Sequence, residues 1–371
     1  MESTLKNKKL GKFIHQVDLR NKNLEVQTLL GVSNEKYFIP SIANIVGTDL
    51  SSYKIVKYNQ FAYGTVTSRN GDKISIALLK EKECIVSSSY IVFEINDTNE
   101  LNPDYLMMWF KRLEFDRYSR YMSHGSVREL FGWEKLCEVE LPIPSIEEQK
   151  KIVEDYKVID ERIAIKEAIN NNLSDEIDLI FREKIIRSSA DITLLTEFLT
   201  FERGVEPGSS SYETEKSVNN IQFFRVQDIL NVESKIFINK AITKNRIANI
   251  SDILVSFDGS VGKIGFGING AYSSGMQKIS SKFNEFSSAI IYAIFHSNDI
   301  QMELGKSTGT TIAHASKFIN ILSLPFDLAL YKEVQILIEP FFNLMLTNKL
   351  EINNLKNIQS LILEKISLTE Q

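Results

Sequence analysis

Two short segments, residues 123–128 and 307–311, combine small, hydroxyl and basic or polar residues in a way that suits contact with a nucleic acid. Small residues let a loop approach a phosphate backbone closely, and hydroxyl and basic groups donate hydrogen bonds to phosphates or base edges. The same composition also occurs in ordinary solvated loops, so it leaves both interpretations open. The recurrence of the two segments at the same place in both halves of the chain favours a functional role.

A third polar segment, residues 69–73, contains an Asn-Gly turn, which is more often a hairpin tip than a base reader. Lys263 ends a second predicted turn, residues 258–263. Together these segments supply the predicted DNA contacts, which are Arg69, Asn70, Lys73, Ser123, His124, Ser126, Arg128, Lys263, Ser307, Thr308, Thr310, Thr311, His314 and Lys317.

Residue types that carry catalysis do not occur at catalytic spacings in this chain. It has no Gly-x-x-x-x-Gly-Lys-Ser/Thr loop for a nucleoside triphosphate and no Asn/Asp-Pro-Pro-Tyr/Phe segment to hold a flipped adenine. Gly262, Gly265 and Gly267 follow a predicted strand, and their spacing favours a hairpin over a dinucleotide site. The histidines have no metal-ligand spacing: His15, His124, His296 and His314. We therefore expect neither catalysis nor a bound metal in this chain alone.

Two long helices are predicted between and after the loop-bearing regions. The first opens with a capping box of Ser145 and Glu148 and runs over residues 148–187. The second runs over residues 329–366, and Pro340 should kink it or mark a restart. Each is too long to be buried by one small domain, so we predict that they pack side by side and antiparallel. The predicted seam and partner-contact residues are Gln149, Ile152, Tyr156, Ile159, Ile163, Leu173, Ile177, Ile338, Phe341, Met345, Ile352, Leu355 and Ile362.

Four polar residues interrupt this apolar seam: Lys166 and Asn170 in the first helix, and Asn348 and Gln359 in the second. A polar seam position usually fixes the register and orientation of two helices and binds no ligand. We interpret these four residues in that way.

The chain repeats its pattern at a nearly constant offset of about half its length. The first half is predicted to hold a hairpin at 61–79, a single strand at 84–95 and a helix at 105–115, with a second helical stretch at 117–121 left open. In the second half a hairpin is predicted at 252–267, residues 273–279 match residues 87–93, and a helix is predicted at 288–296. A repeat of this length indicates an internal duplication of a globular domain plus a long helix. The second copy is degenerate, because its Leu-Pro dipeptide leads to no Glu-Gln pair.

Length and composition indicate a globular protein of two or three domains, with 371 residues, 43% of them hydrophobic. No apolar run approaches a membrane span and the N-terminus has no apolar signal core, so we expect a cytoplasmic protein. Cys84 and Cys137 are too few for a disulfide framework. The net charge is −5, and residues 145–190 carry 8 basic and 11 acidic side chains. DNA binding would therefore need local basic faces or partners that carry phosphate contacts.

The order of domain, helix, domain and helix resembles the specificity (S) subunit of Type I restriction-modification systems. The likeness rests on residues 141–153, Leu-Pro-Ile-Pro-Ser-Ile-Glu-Glu-Gln-Lys-Lys-Ile-Val, and on the duplicated Ser-x-Gly-Ser/Thr loops. It implies an α/β (α+β) fold with two globular target recognition domains, joined by two long antiparallel helices that form a coiled coil, in a pseudo-twofold internal duplication. We predict recognition domains at 1–144 and 191–326, and spacer helices at 145–190 and 327–371.

The resemblance also implies a function. Each domain would read one half of a bipartite site in double-stranded DNA, and the helices would act as a ruler between them. Two methyltransferase (modification) subunits would bring S-adenosylmethionine for adenine-N6 methylation, and restriction/translocase subunits would bring ATP and magnesium for translocation and cleavage. This chain would hold no cofactor and contact no membrane.

Two other interpretations stay open. The chain could be a two-lobed protein-interaction scaffold on a coiled-coil spacer without DNA readout, or a descendant of a fused restriction-methyltransferase. The missing methyltransferase motifs count against the second.

Overall fold

The computed structural model describes residues 7–41, 47–67, 73–123, 129–283, 286–306 and 319–366. The chain divides into two compact units: unit 1 comprises Met1–Glu161 and Asn357–Gln371, and unit 2 comprises Arg162–Lys356. This division places part of each long helix in each unit. The predicted boundaries at residues 144, 190 and 326 stay a prediction. In the described ranges, no helix combines the length and apolar character that a bilayer crossing requires.

Unit 1 is organised around one antiparallel sheet. Its described strands are β1 (Lys8–Lys9), β2 (Ile14–Val17), β3 (Leu30–Val32), β4 (Phe38–Pro40), β5 (Lys54–Val56), β6 (Phe61–Gly64), β7 (Ile76–Leu78), β8 (Cys84–Val86), β9 (Tyr90–Ile95) and β10 (Glu140–Leu141). Four of them form a sheet in the order β2-β9-β6-β7, and the remaining strands pair two by two. The predicted β6–β7 hairpin is confirmed.

Three helices cover this sheet: α1 (Pro103–Phe110), α2 (Leu113–Tyr121) and α3 (Trp133–Cys137). The α1 helix starts where it does because the Asn102 side chain accepts hydrogen bonds from two amides of its first turn. Its last residue, Phe110, packs edge-on against Phe61 of β6, with ring centroids 5.9 Å apart. Aromatic packing of this kind joins the helices to the sheet in one core.

Two long helices, α4 (Ile146–Phe181) and α8 (Leu328–Lys365), confirm the two predicted segments, and a π-helical turn at Arg182–Ile186 extends α4. The predicted capping box is present, since Ser145 N donates to Glu148 Oε2 at 3.0 Å and Glu148 N to Ser145 Oγ at 3.3 Å. The α8 helix does not restart at Pro340. Pro340 lies on the exposed side of the helix, where water can satisfy the carbonyl that loses its partner.

Within unit 2 the two helices are antiparallel. Lys166 pairs with Glu351 at 2.7 Å, and Lys184 pairs with Glu333 at 3.1 Å. The second pair lies further toward the C-terminus on α4 and further toward the N-terminus on α8, as antiparallel helices require. In unit 1 the start of α4 and the end of α8 pack on the same core, through side chains such as Ile152 and Ile366. The predicted side-by-side pairing is confirmed in both units.

Unit 2 repeats the organisation of unit 1. Its described strands are β11 (Ile192–Leu194), β12 (Leu199–Arg203), β13 (Asn220–Phe224), β14 (Phe237–Asn239), β15 (Ile247–Ala248), β16 (Ile253–Ser256), β17 (Ile264–Gly265), β18 (Gly270–Tyr272), β19 (Met276–Ser281) and β20 (Ser323–Pro325). The sheet β12-β19-β16-β17 has the strand order of the unit 1 sheet. A second sheet, β14-β13-β18-β15, contains the parallel pair β13–β18. The predicted hairpin through Gly262 and Gly265 is the β16–β17 pair.

The helices of unit 2 are α5 (Leu195–Phe198), α6 (Ser288–His296) and α7 (Asn298–Lys306). The α6–α7 corner follows its sheet as the α1–α2 corner follows the sheet of unit 1. The predicted duplication and the predicted fold class, two α+β domains with two long antiparallel helices, are therefore confirmed.

Two predicted elements were wrong in detail. The single strand at 84–95 is two strands, because a turn at residues 87–89 separates them and Tyr90 N donates to Ser87 O at 3.0 Å. The helix predicted at 105–115 ends earlier, at Phe110, and a second helix begins at Leu113, because Arg112 has an extended backbone with ψ 142°. Apolar content alone does not reveal such breaks.

Candidate nucleic-acid interface

The sheet of each unit ends in a group of loops that we call its loop edge. In unit 1 the loop edge comprises residues 18–20, 65–67, 73–75 and 87–89, where β2 and β6 end and β9 and β7 begin. In unit 2 the corresponding strand ends are those of β12 and β16 and the starts of β19 and β17. Its loop edge comprises residues 203–208, 225–228, 257–263 and 273–275.

The loop edge of unit 1 brings the bases of two predicted contact loops together. Thr67 N donates to Glu129 O at 3.0 Å, and Phe131 N donates to Thr65 O at 2.8 Å. The segment that follows β6 is therefore hydrogen-bonded to the segment that follows residues 124–128. Predicted contact segments that are distant in sequence thus start from adjacent backbone positions.

A buried ion pair holds Ile74, just before β7, in place. Lys36 Nζ lies 2.7 Å from Asp116 Oδ1 and also donates to Phe110 O, and the same Asp116 oxygen accepts from Ile74 N at 3.1 Å. Burial lowers the pKa of Lys36, and the charge of Asp116 opposes that shift. Beside this pair, Lys73 contacts Glu35 at 2.6 Å. The hairpin is thereby fixed to the α1–α2 corner.

A second basic group stands at the same edge, just after β2. Arg20 Nη1 donates to Ser52 O at 2.7 Å, and its Nη2 lies 2.8 Å from Asp18. The hydrogen bond from Arg20, followed by the charge of Lys54, holds the pKa of the Asp18 carboxyl below its usual range. The guanidinium is oriented by two acceptors and stays partly exposed.

The turn at residues 257–263 is held from inside unit 2. The fully buried Ser256 hydroxyl accepts from Lys263 N at 3.0 Å and donates to Ser260 O. Gln301 of α7 donates through Nε2 to Gly262 O at 2.9 Å. These contacts fix the backbone of the turn and leave Lys263 exposed at its end.

Glycines let the other loops of this edge close on the turn. At Gly204 an added Cβ would overlap the carbonyl oxygens of Tyr272 and Ser273, and at Gly275 it would lie 2.7 Å from Val226 Cγ2. Only a residue without a side chain permits this approach. Segments from four parts of the sequence therefore meet at one edge.

Two arginines at this edge are each held by acceptors. Arg203 Nε donates to Ser274 O at 2.9 Å, and its Nη2 lies 3.9 Å from Asp258. Arg225 Nε donates to Asp228 Oδ2 at 2.9 Å. Both guanidinium groups remain partly exposed, with 59% and 35% of the side chain accessible. Oriented guanidinium groups suit acceptor-rich ligands such as phosphates and base edges.

This architecture is similar to that of known proteins. Residues 8–175 match the model of a family described as the Type I restriction modification DNA specificity domain. The fold of the chain is similar to the crystal structure of the Type-I restriction-modification system S subunit from M. genitalium. The TM-score is 0.55 at 15% identity, covering 97% of this chain and 95% of that one. Residues 8–175 therefore match a DNA specificity domain family, and the fold of the whole chain is similar to that of an S subunit.

The HsdS subunit from Thermoanaerobacter tengcongensis aligns with 98% of this chain and 97% of its own length, at 16% identity and a TM-score of 0.38. No curated protein matches the chain in sequence. The described residues contain no group of three or more His, Cys, Asp or Glu side chains that could hold a metal ion.

The predicted contact residues divide into three groups. Lys73 and Lys263 lie at the loop edges of units 1 and 2. Ser123 is buried at the end of α2, where its hydroxyl donates to Ser119 O at 2.6 Å. The rest lie outside the described residues: Arg69, Asn70, His124, Ser126, Arg128, Ser307, Thr308, Thr310, Thr311, His314 and Lys317. The predicted DNA contacts stay a prediction.

The predicted seam residues lie on α4 and α8. In unit 1, Ile152, Tyr156 and Ile362 pack on the core, and Ile159 is half-buried. In unit 2, Phe341 is half-buried while its neighbour Phe342 is buried, so the seam there passes through Phe342. The remaining predicted seam residues in unit 2 are buried or half-buried: Ile163, Leu173, Ile177, Ile338, Met345, Ile352 and Leu355.

Three of the four polar seam residues meet in unit 2. Lys166 Nζ donates to Asn348 Oδ1 at 2.9 Å, and Asn348 Nδ2 donates to Asn170 Oδ1 at 2.9 Å. The fourth, Gln359, donates to Asp160 Oδ1 at 3.0 Å in unit 1. Each contact joins α4 to α8, as expected of residues that fix register.

Gln149 has a second role that the sequence did not reveal. Its side-chain oxygen accepts from Asn102 N, the residue that caps α1, at 2.8 Å. In unit 2, Gln335 accepts in the same way from Ser287 N, the residue before α6, at 2.7 Å. The second copy is therefore not degenerate at this position. Its glutamine lies later in the helix, so a search at fixed distance from the Leu-Pro dipeptide misses it.

Sequence reasoning also missed Arg20, Arg203 and Arg225. Each stands alone among residues of ordinary loop composition, and tertiary packing brings it to a loop edge. A usable signal was the position of Arg20 just after β2 and of Arg203 at the end of β12, since β2 and β12 are corresponding strands of the two repeats.

Proposed function

We propose that this chain is the DNA-reading subunit of a Type I restriction-modification complex, in which each unit reads one half of a bipartite site in double-stranded DNA. The observation that carries the proposal is the duplicated loop edge, present in both units of a chain whose residues 8–175 match a DNA specificity domain family. Hydrogen-bond donors held in fixed directions suit the reading of base edges.

The two loop edges share a backbone plan and differ in side chains. Unit 1 presents Arg20 and Lys73, and unit 2 presents Arg203, Arg225 and Lys263. Because sequence readout depends on the donors and acceptors at each base edge, different side chains on one plan should read different half-sites. The role of the helices in setting the distance between the half-sites stays a prediction.

We further propose that two methyltransferase subunits bind along the long helices, with restriction/translocase subunits added to that complex. Large apolar side chains on these helices are exposed, and apolar surface of this kind supports a protein partner. Examples are Val158 (61%), Ile165 (60%) and Ile336 (72%). The specificity subunit family is recognised as non-catalytic. S-adenosylmethionine, ATP and magnesium would then belong to the partners, and the complex would act in the cytoplasm.

The proposal is tested by methylation-aware sequencing of DNA treated with this chain and its methyltransferase partner. We expect adenine-N6 methylation at two short sequences separated by an unread spacer, and no such motif when the methyltransferase is used alone. Methylation without a motif would favour a scaffold that gathers proteins without reading DNA. A single continuous motif would contradict the assignment of one half-site to each unit.

A further inference from the structure

Arg225 is held more completely than the other arginines at the loop edges. Its Nε donates to Asp228 Oδ2 at 2.9 Å, its Nη2 lies 3.4 Å from Oδ1, and its backbone N donates to Oδ2 at 3.1 Å. The Gln227 side-chain oxygen, with the amide oriented to satisfy its neighbour, accepts from Nη2 at 2.5 Å and from Nη1 at 3.2 Å. A long flexible side chain is thus fixed in direction while it remains accessible.

The backbone that carries this pair is fixed as well. Val226, between Arg225 and Gln227, packs against Gly275, where an added Cβ would lie 2.7 Å away, and against Gly259. The segment therefore rests on two other loops of the same edge. The side chains of Arg225 and Gln227 therefore extend from a backbone that is packed against the turn that carries Lys263.

The hydrogen bonds already made determine what this pair can still bind. The bonds to Asp228 and Gln227 use four of the five N–H groups of Arg225, so the guanidinium keeps one donor, on Nη1. The Gln227 oxygen is occupied by Arg225, so Gln227 contributes only its amide donors. A ligand must therefore supply acceptors. In the major groove, guanine presents two adjacent acceptors, O6 and N7, whereas adenine and cytosine each present an amino donor there.

The charges at this edge favour a base over a phosphate as the ligand. Three cationic side chains, Arg203, Arg225 and Lys263, stand among three carboxylates, Glu206, Asp228 and Asp258. Phosphate binding gains most of its energy from uncompensated positive charge. A balanced edge with oriented donors gains more from direct hydrogen bonds to a base.

We infer that Arg225 and Gln227 read a guanine in the half-site of unit 2, with Asp228 as the residue that positions Arg225. This inference rests on the proposed function and adds a residue-level reader to it. The competing account is that Arg225–Asp228 is a surface ion pair of small energetic effect, as many exposed pairs are.

The test uses the assembled complex with its methyltransferase subunits and compares Arg225→Ala, Arg225→Lys, Gln227→Ala and Asp228→Asn. We expect Arg225→Ala to weaken binding of the cognate duplex by about 5- to 150-fold. It should relax one guanine position in one half-site and leave the other half-site unchanged. Arg225→Lys should not restore that position, because a lysine lacks the planar fork. The salt dependence of binding should stay as in the wild type.

Two controls separate the possible failures. Arg187→Ala removes a surface arginine of unit 2 that does not belong to the loop edge and is paired with Glu183 at a distance of 2.6 Å. This variant should change neither the motif nor the affinity. Thermal unfolding of each variant checks that unit 2 is folded. If the wild type shows a bipartite motif and the Arg225 and Gln227 variants keep it with equal affinity, the inference is wrong while the proposed function stands. If the wild type shows no motif, both the inference and the proposed function are wrong.

Discussion

Units 1 and 2 make the same contact, which we call the joint, between the β-hairpin and the helix corner (α1–α2 or α6–α7), but with different side chains. In unit 1 the joint between the hairpin and the α1–α2 corner is the buried Lys36–Asp116 pair, with Lys36 donating to Phe110 O. In unit 2, Gln301 occupies the position in the repeat that corresponds to Asp116. Its Nε2 donates to Phe295 O at 2.6 Å, and Phe295 is the counterpart of Phe110. A single neutral amide there does the work of two charged residues.

The comparison shows which part of the joint the fold requires. Both versions fix the hairpin and satisfy a carbonyl near the end of α1 or α6, which would otherwise be a buried acceptor without a partner. The charge is therefore a local solution of unit 1 and not a condition of the fold. It carries a risk, because loss of one partner leaves the other as an unpaired buried charge.

The largest effect is expected from breaking the charged joint. Asp116→Ala should lower the free energy of unfolding of unit 1 by about 3–5 kcal/mol, because Lys36 is left charged and buried. Both tryptophans, Trp109 and Trp133, belong to unit 1, so their fluorescence in urea follows that unit. Gln301→Ala should cost only about 1–2 kcal/mol and leave the tryptophan transition in place.

The double variant Lys36→Met with Asp116→Leu is the matched control. Replacing a buried ion pair by apolar side chains is often close to neutral, so most of the stability should return. Equal losses for the double variant and for Asp116→Ala would show that packing, and not the unpaired charge, causes the loss.

This joint also shows the limit of sequence reasoning. The helices, the duplication and the hairpins follow from periodicity and turn residues, and they were predicted. Asp116 and Gln301 occupy equal positions in the repeat, yet their types share no pattern that links them. Arg225 likewise has no distinguishing pattern in the sequence, because it is the packing of Val226 against Gly275 that places it at the loop edge. Contacts made only in the folded state, between segments distant in sequence, were the part that could not be predicted.

A smaller difference is expected at the two glutamines that join the long helices to α1 and α6. Gln149 is fully buried and bonds Asn102 N, Glu100 O and Pro144 O, whereas Gln335 is half-buried and bonds Ser287 N. Gln149→Ala should destabilise unit 1 by about 2–4 kcal/mol, since it leaves three backbone groups without a partner. Gln335→Ala should destabilise unit 2 by about 1 kcal/mol, the cost of one such bond.

Unfolding of the Gln149 variant can be followed by tryptophan fluorescence, and unfolding of both variants by far-UV circular dichroism. Gln149→Glu keeps the acceptor for Asn102 but loses the two donated bonds, so it should not restore stability. Equal losses at the two glutamines would contradict the difference in burial and bonding on which this prediction depends.

The smallest effect concerns pH and the residue that each unit places against α4 at the end of α1 or α6. Unit 1 has Lys111 over the Tyr156 ring at 5.2 Å. Unit 2 has His296 at the corresponding position, with Nε2 2.8 Å from Ser174 Oγ. Burial lowers the pKa of His296 from its ordinary value of 6.5, and the charges of Asp178 and Asp175 oppose the shift.

At a pH between the pKa of His296 in the folded chain and its pKa in the unfolded chain, the imidazole binds more protons in the unfolded chain than in the folded one. Its contribution to the free energy of unfolding of unit 2 should therefore be fully present above pH 6.5 and fall as the pH drops below it. His296→Gln keeps a partner for Ser174 and does not titrate. By calorimetry, the wild type should lose more thermal stability than this variant between pH 7.5 and 5.5, while the tryptophan transition of unit 1 stays the same in both proteins. Equal losses in both proteins would show that burial of His296 does not make unit 2 sensitive to acid.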